Sequence, residues 1–123
     1  MPKVVNIDDC FKRFADTFSP KIVGDLNAQH VKLVRLEGDK VPWHTHANED
    51  ELFYVLDGTL DIQEEDGAFT VRAGEFYIVL RGRKHRIVPR GHVKLMLFEP
   101  AGIAHTGDVQ AEITRDSCDR LEL

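Results

Sequence analysis

The sequence predicts an all-β domain of antiparallel strands closing into a barrel, preceded by one short helix. Three observations point that way. Short apolar or alternating runs recur from Lys21 to Phe98 with glycine turns at regular spacing, as in sandwiches and barrels. Two Asp-Gly pairs, Asp57-Gly58 and Asp66-Gly67, are strong two-residue hairpin signals. The helical period is confined to the N-terminal segment, where Ile7, Phe11, Phe14 and Phe18 recur at intervals of four, three and four.

Taken in order, the helical segment runs from Asn6 to Phe18, with Asn6 or Asp8 placed to cap its first turn. Ser19-Pro20 ends it, and its apolar stripe is read as covering an open end or edge of the sheet. Strands follow at Lys21–Leu26 and Gln29–Glu37, with the turn at Asn27. In the second strand Val31, Leu33 and Arg35 oppose Lys32, Val34 and Leu36, and Arg35 is a candidate for the pocket wall. Gly38-Asp39 turns the chain toward Trp43, which either walls the site or packs at its rim. The run Leu52–Leu56 and the strand Thr59–Glu64 flank the first Asp-Gly pair. Period 2 gives Phe53 and Val55 the face of Glu51, sends Tyr54 away, and turns Leu60 and Ile62 inward, so the pocket lining is apolar. Ala68–Arg72, Glu75–Leu80, His85–Pro89 and Val93–Phe98 continue the meander. The stretch Phe76–Leu80 is apolar on both faces, as where a second sheet or subunit covers a strand. Past Phe98 the chain reads as a loop and a mostly polar end.

A chain of 123 residues is expected to form one domain, with a barrel core of about 21–99, a helical segment at 6–18 and a tail at 100–123. Apolar residues make up 42% and charged residues 30%, a globular balance. Cys10 and Cys118 form no dense framework, which fits a reducing cytoplasm. The charged start MPKVVNIDDC is not expected to act as a signal peptide, and no apolar run reaches the length of a membrane span. A net charge of −5 argues against general nucleic-acid binding, and no helix-turn-helix stands beside the barrel. The charge is unevenly placed. Ala47 to Asp66 holds eight acids and no Lys or Arg, and Leu80 to Lys94 holds six bases and no acid. Either the two blocks are ordinary strand faces that pair across the barrel or between subunits, or the bases flank His85 at the mouth and draw an anionic substrate.

The chemistry concentrates in Gly38–Gly58, GDKVPWHTHANEDELFYVLDG. His44 and His46 are two residues apart in an extended segment, so both imidazoles point to one face. Glu51 can add a carboxylate from the neighbouring strand. Gly74–Pro89, GEFYIVLRGRKHRIVP, repeats the plan: an apolar strand, a tight turn at Gly82, then His85. Lying across from the first stretch, His85 completes three histidines and one carboxylate, a set suited to iron, manganese, nickel, copper or zinc. His30, His92 and His105 are read as surface or turn histidines, with His105 alternatively near the site or a partner subunit.

The first stretch resembles the first cupin motif residue for residue: Gly38, five residues, His44, one, His46, four, Glu51, six, Gly58. The second motif is looser, with Leu80 and Pro89 where the family has proline and asparagine. The resemblance covers about Val31–Phe98 and implies a small stand-alone cupin. That means a six-to-eight-stranded jelly-roll barrel with one divalent metal inside, held by His44, His46, Glu51 and His85. It also implies pairing through the sheets as a homodimer. The family's reactions are diverse, so the fold does not choose one. Two functions follow: a small metalloenzyme acting on a small chelating metabolite (a dioxygenase, isomerase or lyase), or a non-catalytic module that binds or senses a small molecule.

Overall fold

The structure, a computed structural model, describes residues 3–101 and 118–123. Its elements are helix α1 (Ile7–Phe11) and strands β1 (Lys21–Leu26), β2 (Gln29–Leu36), β3 (Glu51–Glu64), β4 (Gly67–Arg72), β5 (Phe76–Val79), β6 (His85–Pro100) and β7 (Asp119–Arg120). They form one sheet in the order β4-β3-β6-β2-β1-β7, with β5 also on β3. All pairs are antiparallel except β1 with β7. No helix among the described residues is long and apolar enough to cross a membrane.

The main correction to the sequence reading concerns Asp57-Gly58. It is not a hairpin: β3 continues through it without a break, and β6 likewise joins the two strands expected at His85–Pro89 and Val93–Phe98. The first half of β3 pairs with the last part of β6 (Leu52 with Phe98, Val55 with Leu95). Its second half pairs with the start of β6 (Leu60 with Pro89, Glu64 with His85). Register shifts between Val55 and Thr59 bend the ladder, as bulges do. Gly58 sits in the bend at φ +89°, a region that L side chains avoid. The bend is large: 14 residues of straight strand would separate Glu51 and Glu64 by about 43 Å. Yet the partner of Glu64, His85, approaches Glu51 to 3.4 Å. The second hairpin signal does mark a turn, with Glu65 and Asp66 joining Glu64 to Gly67.

Curled in this way, the sheet encloses a core that includes Val34, Leu36, Phe53, Val55, Leu60, Ile62, Val93 and Leu95. Its outer face is covered at one place by α1, where Cys10 and Phe11 pack with Val23 and Leu33. The helix is shorter than its stripe, and it caps a sheet face instead of an end or edge. The Asn6 side chain accepts from the Asp9 N–H at 3.0 Å to start it. Arg35 donates to the carbonyls of Phe11 at 2.6 Å and Phe14 at 3.0 Å, so the chain past the helix bonds to β2. Phe18, the last of the stripe, leaves the helix altogether and joins the barrel core. The end of the chain also differs from a plain tail, since β7 pairs with β1. His105 lies outside the described residues.

Candidate metal centre

His44 and His46 lie on the extended chain before β3, Glu51 opens β3, and His85 opens β6. His44 and His85 are joined as a bridge, each N–H donating to the other's carbonyl at 2.9 Å. The turn is fastened as well, with the Gly82 N–H donating to the His46 carbonyl at 2.8 Å. Backbone bonds thus hold the two motifs against each other. One ligand atom from each of the four residues lies within 4.8 Å of the others, and none of the four is more than 4% exposed.

The donor set fits a divalent metal. His44 Nδ1 is 2.8 Å from the Pro42 carbonyl and His85 Nδ1 is 3.0 Å from the Arg83 carbonyl. Each bond assigns the ring proton to Nδ1 and leaves Nε2 as the lone-pair donor, the arrangement metal-ligating histidines use. His85 Nε2 is buried with no hydrogen-bond partner among the described residues. Orphaned buried atoms of this kind call for an ion or water. Glu51 Oε1 stands 3.0 Å from His46 Nε2 and 3.4 Å from His85 Nε2. Burial pushes the Glu51 carboxyl up, but proton donation from the facing ring nitrogen of His46, and of His85 when that ring is charged, outweighs it and holds the carboxyl well below the usual range. Burial lowers His44 to about 4 against the opposing pull of the Pro42 carbonyl. The imidazole is therefore neutral at neutral pH, the form that ligates.

Beside the cluster lies a cavity of about 30 Å³, lined by His44 and Glu51 on one side and by Phe18, Val41, Phe53 and Leu97 among others. That is room for one or two waters. Of the six residues expected around the pocket, Phe53 lines this cavity. Val55, Leu60 and Ile62 sit in the adjoining core without reaching it. Trp43 borders an open groove with Gln63, Glu64 and Lys84 instead, its ring 5.6 Å from the Arg86 guanidinium. Arg35 is placed on the opposite face of β2, bound to the N-terminal segment.

Sequence reasoning passed over a buried pair next to the cluster. Lys32 Nζ donates to Glu99 Oε1 at 2.9 Å, with both residues 1% exposed. Glu99 follows Phe98, the partner of Leu52, and so faces Glu51 across the β3–β6 ladder. Burial, then the Glu51 charge, pushes Glu99 well above the usual carboxylate range. Parity could have revealed both: Lys32 alternates with Val34 and Leu36, and Glu99 with Leu95 and Leu97. The two charge blocks meet across the same ladder. Arg90 donates to Asp61 at 2.7 Å, Arg83 to Glu64 at 3.3 Å, and Arg86 to Gln63 at 2.7 Å.

The Cupin domain model matches residues 33–100. A cupin-2 domain containing protein from Shewanella frigidimarina is 38% identical. The alignment covers 79% of this chain and 94% of that one at a TM-score of 0.76. A protein from Neisseria meningitidis is 25% identical, with 80% and 100% covered and a TM-score of 0.72. One from Bacillus halodurans, 24% identical with 81% of each chain covered and a TM-score of 0.67, shares the fold. No curated protein matches the chain.

Proposed function

The chain belongs to the cupin domain family, and we propose that it is a small metalloenzyme whose site is His44, His46, Glu51 and His85. Its substrate is a small, partly apolar, chelating molecule. The observation that carries this reading is the cluster itself: four buried ligand atoms within 4.8 Å, with His85 Nε2 lacking a hydrogen-bond partner among the described residues. Once bound, a divalent iron, manganese, nickel, copper or zinc ion would supply Lewis acidity, and a redox-active one electron transfer as well. The protein's own residues hold the site in shape. The Pro42 and Arg83 carbonyls orient His44 and His85, and the apolar walls keep bulk water from the open side.

A second reading, a binding or sensing module, is favoured by one feature. Among the described residues, no ionisable side chain lines the cavity apart from His44 and Glu51, and the buried Glu99 behind Glu51 is bonded to Lys32, so no separate general acid or base faces the cavity itself. The experiment is to load the protein with each metal and incubate it with small chelating acids and diketones, following oxygen uptake and product mass against a Glu51→Gln variant. Turnover lost in the variant supports the enzyme. Saturable binding without turnover by any loaded form supports the module.

A homodimer is proposed from the outer face of β5 and the residue that follows it, where Phe76 is 58%, Ile78 41% and Leu80 58% exposed. Contiguous apolar surface of this kind marks association sites. Light scattering should give twice the chain mass for the wild type and a monomer for Ile78→Glu; a wild-type monomer at micromolar concentration refutes it. Nucleic acid is not proposed as a partner, because acids of β3 already engage Arg83 and Arg90 of the basic block.

A further inference from the structure

Phe18, from the irregular stretch between α1 and β1, forms part of the wall of the cavity beside the cluster. The residue is 3% exposed and belongs to the barrel core. Its ring lines the cavity that His44 and Glu51 share, while Nζ of the exposed Lys40 lies 5.9 Å from the ring centre. The ring therefore meets both the cavity and an exposed side chain. Its backbone is unusual: φ is +56°, a conformation bulky L residues seldom adopt. It is held there by its N–H donating to the Arg35 carbonyl at 2.8 Å. Such strain persists where the surroundings enforce it, often at ligand clamps and switch regions.

The free volume makes this placement consequential. About 30 Å³ admits one or two water-sized groups, whereas a chelating molecule with an apolar body needs several times that. The largest movable object on the cavity wall that belongs to a connecting segment instead of a strand is the Phe18 ring. Building on the metal-site reading above, we propose that Phe18 is the specificity-determining stopper of this site. In the closed form it limits the cavity to ligands of one or two heavy atoms. A chelating substrate with a phenyl-sized apolar body enters by displacing the Phe18 ring and taking its place against Val34, Leu36 and Leu97. The side chain acts by occupying the substrate's volume; it is not a catalytic residue.

The test compares the wild type with Phe18→Ala and the milder Phe18→Leu, both checked for folding by circular dichroism. Cobalt(II)-loaded protein is titrated with cyanide, a two-atom ligand, and with benzohydroxamate, a chelator carrying a phenyl ring, following the cobalt absorption bands. In the wild type the benzohydroxamate association rate should level off with concentration, because ring opening limits it. In the variants the levelling should vanish and affinity should rise at least about tenfold, as expected when an open state populated to a tenth or less becomes the rule. Cyanide affinity should be unchanged in all three. Equal benzohydroxamate affinity with linear kinetics in wild type and variants would overturn the proposal. A second arm needs no metal: benzene added to metal-free protein should shift the methyl resonances of Val34 and Leu36 in Phe18→Ala, but not in the wild type. Failure of benzene to enter Phe18→Ala counts against the stopper. If cobalt does not bind the wild type, the metal reading falls, while the benzene arm still decides on Phe18.

Discussion

Replacing Gly58 by alanine tests whether the bend in β3 builds the site. A Cβ at Gly58 would lie 2.6 Å from the His92 carbonyl oxygen, 3.1 Å from Val93 Cγ2 and 3.3 Å from Val93 Cα. Two of those three atoms are backbone, so no flexible side chain can simply swing away. The φ of +89° adds strain for any L residue, about 1–3 kcal/mol, and overpacking adds about 1–3 kcal/mol more. Gly58→Ala should therefore destabilise by about 2–6 kcal/mol. Gly74 is the internal control, with φ +86° but nothing within 4 Å of its added Cβ; Gly74→Ala should show the backbone part alone. The assay is urea denaturation of metal-free protein, read as midpoint and slope. Because the bend brings Glu51 to His85, any folded fraction of Gly58→Ala should also bind cobalt(II) more weakly than Gly74→Ala. Equal stability losses in the two variants would refute the packing argument, and unchanged cobalt affinity in a strongly destabilised Gly58→Ala would refute the link from bend to site.

The remaining predictions concern protonation and polar contacts. Burial lowers His44 to about 4 from an ordinary 6.5, so the folded state favours the neutral ring. The stability this gives is complete above pH 6.5 and is lost as pH falls toward 4, by about 3 kcal/mol. In metal-free protein, denaturant midpoints measured from pH 7 to 4 should fall, and His44→Gln should flatten part of that slope; an identical slope would contradict the assignment. Tyr77 donates to the buried Glu64 at 2.8 Å. Tyr77→Phe should cost about 1.5–3 kcal/mol, as for hydrogen bonds to charged groups. Burial, then Glu64, pushes the Tyr77 phenol up to about 12, so in ultraviolet titration one of the two tyrosines should ionise late. A single titration step near 10 counts against it.

The cluster was legible because its placement rests on local rules. Period 2 aligns His44 with His46, the turn at Gly82 delivers His85, and parity puts Phe53 and Val55 with Glu51. Strand alternation in β2 was also legible, but which face looks into the barrel is a tertiary fact. Val34 and Leu36 point inward, which leaves Arg35 to bind the N-terminal segment. Asp57-Gly58 misled because hairpin chemistry and a bulge both ask for a residue of positive φ, and only the 16 residues of β6 decide between them. Lys32 and Glu99 escaped notice because charged residues are rarely buried unless paired, and their pairing across 67 positions has no local signal. Phe18 was read on a helical stripe, and its departure from the helix depends on a bond to Arg35 in β2.

The central claim is that His44, His46, Glu51 and His85 bind one divalent transition metal. The direct measurement is elemental analysis of protein purified without added metal or a histidine tag, beside a His44→Ala, His46→Ala variant of verified fold. The account predicts near-stoichiometric iron, manganese, nickel, copper or zinc in the wild type and its loss in the variant. Equal metal content in the two proteins, or none in either even after incubation with each ion, would contradict it.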